Sequence, residues 1–502
     1  MSGTVKNRNT YGGIFKALAL FGGVKVIKIL ISIIRSKAIA MLIGPAGMGI
    51  NSLLKSTTDT INHLTGCGLH TSAVRDVAKA YHENNQDRIN TTITTLRGLV
   101  WFTGLLGGII VLVFAGPLSQ FAFGNRDYTA AFRILSIMMI FLQINVGQIA
   151  LLQGCFHYKD LAKATLTGQI LSLVLTLPLY YFFREKGIVP ALLLASIIAV
   201  IRSIVFTRRV PYQKVKMSLK DYWKNGKEML TLGIVISLGG QISNASSYLM
   251  NIIISRVGSV EAVGLYHAAM SMATSYVFLV LSAMTTDYVP RLSAIAGDDQ
   301  EQIVAINKQI EMVLMIMSPL LVAFMVFAKE ALLILYSSEF FAVKHLLELL
   351  MFAMFFRAIS WCISYAFIAR GDSKTFLMNE CIIFVFSISL KYAGFYYGSF
   401  TGIGIAIILV YIIYTILMLV VSKRRFGFTL SSGFYKIAIP NFIICVLALT
   451  VSFLGGAHWW RYVIGTMILG GSVWFSYTEL DKRIHIKDAL MARVNKKKKD
   501  EQ

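Results

Sequence analysis

Charge is scarce in this sequence. Of its 502 residues only 15% are charged while 56% are hydrophobic, and the mean hydropathy is +0.66. That balance excludes a soluble chain of this length and places it among polytopic membrane proteins. Acids are scarcer still, 25 Asp and Glu against 48 Lys and Arg, a net charge of +23. In a soluble protein this excess would suggest a nucleic-acid partner. Here most of it falls in short loops and the tail, where it sets topology, and no nucleic-acid partner is expected. The five cysteines (Cys67, Cys155, Cys362, Cys381, Cys445) are odd in number, lie in apolar segments and lack metal-site spacing, so they read as small core residues. A GxxxxGK[ST] loop is missing, which excludes an ATP-driven pump, and HExxH, GxSxG and CxxC are missing too. The outer loops are too short for a catalytic domain, and the first, "GPAG", holds no carboxylate for a glycosyl transfer. No enzymatic activity and no cofactor are expected, apart from H⁺ or Na⁺ as a coupling ion. A small-residue cleavage site is lacking and the first apolar run is too long for a signal peptide.

What is present is a long series of apolar runs. Hydropathy and loop signals give about 14 spans. The expected all-α polytopic protein divides into an N-terminal six-helix lobe (1–207), a basic cytoplasmic linker (208–228), a C-terminal six-helix lobe (229–425), two accessory transmembrane helices (426–480) and a basic cytoplasmic tail (481–502). With both termini inside, inner loops and termini hold about 29 Lys and Arg and outer loops about 7, as the positive-inside rule asks. The second span, Met48–Tyr81, fits least well, being rich in Ser, Thr, Asn and charge.

Segments recur in order. "IGPAGMGI" at Ile43 is answered by "VGSVEAVGLY" at Val257, "ENNQDRI" (Glu83–Ile89) by "GDDQEQI" (Gly297–Ile303), and Gln153-Gly154 with Lys159 by Arg370-Gly371 with Lys374. Six spans therefore occur twice in one orientation, a parallel repeat that implies two lobes about an axis along the membrane normal, with substrate held near mid-membrane.

Charge inside a span is costly, so it faces a cavity, a partner or the interface. In "KVIKILISIIRSK", Lys25, Lys28 and Arg35 share an arc of roughly 80° with Ser32, and Lys37 lies off it. Lys16 falls opposite, near enough to the inner end to snorkel. The alternative is a basic helix lying on the membrane surface, which the apolar remaining faces disfavour. In the second span Lys55, Asp59, Asn62, His63, Gly66 and His70 share an arc of about 100°. Lys55 and Asp59 are also i,i+4 partners and could simply pair, and interior histidines are often only hydrogen-bonded. The second half offers a face with Gln241, Asn244, Tyr248 and Asn251, one with Arg357, Ser360, Trp361 and Ser364, and one with Glu380, Ser387 and Lys391. Glu380 and Lys391 could equally be end-capping interface residues. Arg97, Arg133 and Arg202 are expected near an interface or in interhelix hydrogen bonds, and spans twelve to fourteen, without mid-span charge, as lipid-facing or accessory. The candidate cavity set is thus Lys25, Lys28, Arg35, Lys37, Lys55, His63, His70, Asn244, Asn251 and Arg357. Such bases suit an anion, with arginine supplying a fork for phosphate. Asp59, Asp287 and Glu380 are candidates for ion coupling, or only neutralise neighbouring bases.

The order "LIGPAGMGI", "GCGLHTSAVRDVAKA", "FGNRDYTAAFRIL", "LLQGCFHYKD", then "YVPRLSAI" and "YSSEFFAVKHLLELLMFAMFFRAISW", resembles the Wzx-type polysaccharide flippases, among them the O-antigen translocases and lipid III flippases, over about residues 10–425. The family lies in the multidrug/oligosaccharidyl-lipid/polysaccharide exporter superfamily. The resemblance implies two six-helix lobes, alternating access, and an undecaprenyl-diphosphate-linked oligosaccharide moved to the periplasmic leaflet of the bacterial inner membrane, beside membrane lipids and other polysaccharide-assembly membrane proteins as partners. Lys28 and Lys37 fall where the lipid III flippase type has first-helix lysines; Lys25 and Arg35 are outside that match. The two extra C-terminal spans depart from the twelve-span pattern, though fourteen-span members exist. Two other functions stay open, a peptidoglycan lipid II-type flippase and a cation-coupled multidrug antiporter. The antiporter would want an acidic cavity, and this one is basic.

Overall fold

The computed structural model describes residues 4–83, 85–456 and 458–484, with side chains from residue 27 onward apart from a few positions. Among the described residues the regular elements are all helices, with no strand. A bilayer core offers backbone groups no water, and a helix satisfies them within one segment. In chain order the helices are α1 (Thr4–Thr65), α2 (Leu69–His82), α3 (Gln86–Val113), α4 (Ala115–Phe123), α5 (Thr129–Gly154), α6 (Tyr158–Phe183), α7 (Ile188–Thr207), α8 (Leu219–Val257), α9 (Val260–Ala294), α10 (Asp299–Val326), α11 (Ala328–Leu335), α12 (Lys344–Ala369), α13 (Ser373–Phe426), α14 (Ser432–Leu454) and α15 (Trp460–Ile484).

Eight helical segments among the described residues are long and apolar enough to cross a membrane by length and composition. Two of them, Tyr158–Thr207 and Ser373–Phe426, run for 50 and 54 residues. At 1.5 Å per residue each is more than twice the roughly 30 Å of a hydrocarbon core. Each bends near its middle, at Arg184 (φ 51°) and at Ser399 (φ 49°), and so supplies two passages. Likewise α1, 62 residues long, bends at Gly44 (φ 63°) inside the "GPAG" stretch.

Two compact units form. The first comprises residues up to His267 together with Leu335–Glu339; the second comprises Ala268–Ile334 and the chain from Phe340 on. The sequence reading assigns α8 to the second lobe, but here α8 packs against α1, α2 and α3 within the first unit.

The recurring sequence segments have local structural counterparts. "ENNQDRI" and "GDDQEQI" are helix starts. Asn85 Oδ1 accepts the Arg88 amide at 3.1 Å, and Asp298 Oδ1 accepts the Glu301 amide at 2.9 Å. Each satisfies an amide that the first helical turn leaves without an intrahelical partner. The helices they open, α3 and α10, are each 28 residues long and are followed at once by a short one, α4 or α11. The glycine-bearing segments "IGPAGMGI" and "VGSVEAVGLY" meet within the first unit. A Cβ on Gly49 would lie 1.8 Å from the Val260 carbonyl oxygen, and one on Gly264 would lie 1.9 Å from that of Pro45. Only glycine permits backbones this close.

The expected second span, Met48–Tyr81, is not one continuous helix. α1 stops at Thr65 and α2 starts at Leu69, across Cys67 (φ 48°) and Gly68 (φ 64°). The break lets the Gly68 backbone meet α8, where a Cβ would stand 2.0 Å from the Gly233 carbonyl oxygen. His70 therefore does not continue the helical face that carries Lys55 to Gly66. The polarity of α1 beyond Gly44 is largely self-satisfied. Thr57, Thr58, Thr60 and Thr65 each donate to the carbonyl four residues earlier, at 2.7–2.9 Å.

In the second unit α14 and α15 are fixed to α10 and α12 by buried polar bonds, which the expectation of a lipid-side accessory pair did not include. Arg461, 1% exposed, donates to the Val326 carbonyl at 2.8 Å and to that of Gly456 at 3.0 Å. Ser452 donates to the fully buried Glu348 at 2.5 Å and to the Met325 carbonyl at 2.8 Å. At the opposite end Arg483 of α15 meets Glu311 of α10 at 3.2 Å.

Gly68→Ala places a Cβ where no room exists, on a left-handed residue that costs a side chain about 1–2 kcal/mol in backbone strain alone. The expected result is a lower unfolding temperature of the detergent-purified protein; an unchanged melting curve would show that the α1–α2 break adapts freely.

Candidate functional site

In the first unit the polar face of α1 carries Lys55 and Asp59, joined at 2.6 Å with side chains 58% and 37% exposed. That is the i,i+4 pairing weighed as the plainer reading. One turn on, Gln143 of α5 donates from Nε2 to the Asn62 carbonyl at 2.9 Å, and that nitrogen lies 3.0 Å from Asn62 Oδ1. Gln143 thereby supports the helix end just before the break. His63 and His70 are exposed and close enough to interact electrostatically, and His70 Nδ1 lies 3.4 Å from Thr71 Oγ1. On α8, Asn251 is buried and Asn244 exposed, and Tyr248 shares a hydrogen bond with Thr57 of α1. His267 on α9 lies within electrostatic reach of Lys55. The structure thus brings Lys55, Asp59, Asn62, Tyr248 and His267 onto contiguous parts of α1, α8 and α9.

The first stretch of α1 is divided. Lys25 lies on α1, but its side chain, like that of Lys16, falls outside the described ones. Lys28, Arg35 and Lys37 are half-buried and Ser32 is exposed. Arg35 turns toward α6 and donates from Nη2 to Ser172 Oγ at 2.7 Å, with Tyr180 of the same helix close by. Arg202 of α7 donates to Thr167 of α6 at 3.0 Å, an interhelix bond of the kind expected for it. Arg97 of α3 reaches the Tyr212 hydroxyl in the linker.

The second unit gathers the expected faces of α12 and α13 into one cluster. Arg357 stacks over two rings of α13, its guanidinium carbon 5.4 Å from the Tyr411 centroid and 5.9 Å from that of Tyr414. Tyr414 donates its hydroxyl to Glu380 Oε1 at 2.6 Å, and Ser364 hydrogen-bonds Tyr414. Glu380 and Lys391 both lie within electrostatic range of Arg357. Ser360 and Ser364 donate back to the carbonyls of Arg357 and Trp361 at 3.1 and 2.9 Å. Glu380 is therefore drawn to a phenol rather than left capping a helix end. Asp287, by contrast, is 81% exposed and stands 3.7 Å from Arg291 on its own helix, away from this hydrogen-bonded group.

Chemically the cluster holds two cations against one carboxylate. A guanidinium seated on aromatic faces keeps its N–H groups for another ligand, and cation–π attraction holds its position without using them. An anion such as a phosphate would find a fork at Arg357 and a point charge at Lys391. The residues missed from sequence are Tyr411 and Tyr414, one turn apart on the twelfth span, and Gln143 and His267. The twelfth span, lacking formal charge, reads from sequence as lipid-facing or accessory. Its Tyr414, 2% exposed, faces inward, because a phenol does polar work that a count of charges overlooks.

The fold is one shared by known transporters. The lipid II flippase MurJ in its inward closed conformation superposes with a TM-score of 0.64 at 14% identity, covering 93% of this chain and 99% of that one. An inward-facing multidrug resistance transporter of the MATE family, in the MOP superfamily, gives 0.60 at 16% identity over 82% and 94%. The class is thus a polytopic membrane protein with the fold these transporters share. Residues 38–345 match the family described as polysaccharide biosynthesis protein, and the chain belongs to that family. It is also similar to the lipid III flippases of Escherichia coli K12 and Shigella flexneri, each 22% identical over 363 residues, 71% of this chain and 85% of the relative.

Tyr414→Phe removes the phenolic donor that Glu380 accepts from. A charge-assisted bond of this kind contributes about 1.5–3 kcal/mol, and less where a membrane reference state finds other partners. The expected outcome is a protein that still folds but transports less, read as lost initial rate in proteoliposomes at equal protein incorporation. An unchanged rate would remove Tyr414 from the site.

Proposed function

We propose that this protein is a flippase that moves an undecaprenyl-diphosphate-linked oligosaccharide from the cytoplasmic to the periplasmic leaflet of a bacterial inner membrane. The observation that carries the reading is the cationic cluster of Arg357 and Lys391, with its aromatic support, in a chain of the polysaccharide biosynthesis family. The similarity to lipid III flippases over most of the chain supports it as well. In this reading two six-helix lobes alternate access. The diphosphate meets bases drawn from Lys25, Lys28, Arg35, Lys37, Lys55, His63, His70 and Arg357, with Asn244 and Asn251 as amide hydrogen-bonding groups. The glycan crosses through the polar interior, and the polyprenyl chain stays in lipid. Asp59, Asp287 and Glu380 are the groups proposed to couple the movement to H⁺ or Na⁺. Both termini are cytoplasmic, as the loop charges indicate. A lipid II-type flippase is the alternative reading, and the likeness to a flippase of that type supports a shared fold.

The test is flipping of a fluorescent polyprenyl-diphosphate glycan by the full chain in proteoliposomes. Transport above empty liposomes is expected. Ethidium efflux with no glycan flipping would replace this reading with a drug antiporter. The paired variants Arg357→Gln and Lys391→Gln are expected to reduce flipping at least tenfold together, about 1.4 kcal/mol of lost anion stabilisation by the usual conversion. Lys28→Ala is expected to lower the rate far more than Lys16→Ala; equal rates would show that helical facing misassigned the first span.

A further inference from the structure

A second site lies in the first unit, apart from the polar faces of α1 and α8. A cavity of about 350 Å³ opens among α3, α5 and α7 at the end that leads into the basic linker. Its walls include the aliphatic side chains of Val100, Ile144 and Ile204, and two arginines, Arg97 and Arg208, share its lining. Arg97 is held in place by Tyr212, its guanidinium carbon 4.4 Å over the ring and Nη1 bonded to the hydroxyl. Its Nε is buried with no hydrogen-bond partner. Arg208, the first residue after α7, is exposed. Gln148, only 9% exposed, lines the same cavity, and its Oε1 is without a donor. Trp101, at the cavity's edge, is 52% exposed, as an interfacial aromatic would be.

One held and one exposed positive head at one end of an apolar slot, with one buried acceptor and one buried donor left over, describe the outline of a ligand. It must carry a phosphate, a hydroxyl and a hydrocarbon chain. A soluble phosphate would leave the aliphatic wall uncovered, and a zwitterionic headgroup would bring an ammonium to two arginines. We propose that this cavity binds one anionic glycerophospholipid of the inner leaflet. Its phosphate lies between Arg97 and Arg208, a headgroup hydroxyl donates to Gln148 Oε1, and one acyl chain lies along Val100, Ile144 and Ile204. Basic pockets between spans on the cytoplasmic side commonly hold such headgroups. The site is one for a resident lipid, independent of the translocated substrate. Its occupant bridges α3, α5 and α7 with the linker through Arg97 and Tyr212.

Native mass spectrometry of the detergent-purified full chain, titrated with phosphatidylglycerol or with phosphatidylethanolamine, tests this. One phosphatidylglycerol is expected to bind in preference to phosphatidylethanolamine. Arg208→Gln, an exposed position whose loss leaves packing intact, is expected to weaken it by about fivefold, and Arg97→Gln with Arg208→Gln by about twentyfive-fold. Gln148→Leu is expected to narrow the preference for phosphatidylglycerol over phosphatidic acid, which lacks the headgroup hydroxyl. Equal retention of both phospholipids, or phosphatidylglycerol affinity unchanged in Arg208→Gln, would overturn the proposal.

Discussion

A polar group placed within a hydrocarbon layer must find its partner inside the protein, and much of this structure follows from that constraint. Its clearest expression is the contact of Tyr414 with Glu380 beside Arg357. The carboxylate receives a hydrogen bond, the guanidinium is seated on two rings, and α12 is held to α13 without a closed ion pair that would consume both charges. A direct Arg–Glu bridge would be neutral and complete. The aromatic arrangement instead spares the guanidinium's N–H groups, and Lys391 gives the cluster its net positive charge, which is what an anionic substrate would require.

The same constraint separates structural from candidate functional charge elsewhere. Arg461, buried and bonded to two carbonyls, fastens α15, and Glu348, fully buried, is met by Ser452, His345 and Lys344. The terminal nitrogens of Arg461 and the Glu348 carboxylate are bonded within the protein, so their task is to hold the accessory helices to α10 and α12. Lys55, exposed, and Asp59, half-exposed, pair with each other, and His63 and His70 are exposed on either side of the helix break. Groups that remain accessible inside a membrane protein are the ones able to exchange protein partners for a substrate. Arg35 stands between these cases, since its bond to Ser172 ties α1 to α6 while its other donors are not all used.

Small residues at close contacts explain why polar helices can approach one another. Gly49 and Gly264 let α1 and α9 touch backbone to backbone, and Gly68 does the same with α8 across the break at Cys67. The first of these contacts joins the two halves of a recurring sequence motif. The glycines that looked like markers of a repeat are required by a particular packing contact.

The sequence by itself determined that this is a multi-span helical membrane protein, because composition and run length fix that choice wherever water is absent. It also separated the first two spans at "GPAG", where α1 bends, and offered the Lys55–Asp59 pair, both of which depend on neighbours within a few residues. The tertiary structure decided what depends on residues distant in the chain: that the second span breaks at Gly68 against Gly233, that Arg35 turns to Ser172, that α8 packs in the first unit, and that Tyr411 and Tyr414 place Arg357 beside Glu380. A helical wheel ranks faces by angle but does not know which face meets a neighbour, and a tally of charges does not see a phenol. Those choices are made by packing, where backbone clearance and the pairing of polar groups are settled between segments rather than within them.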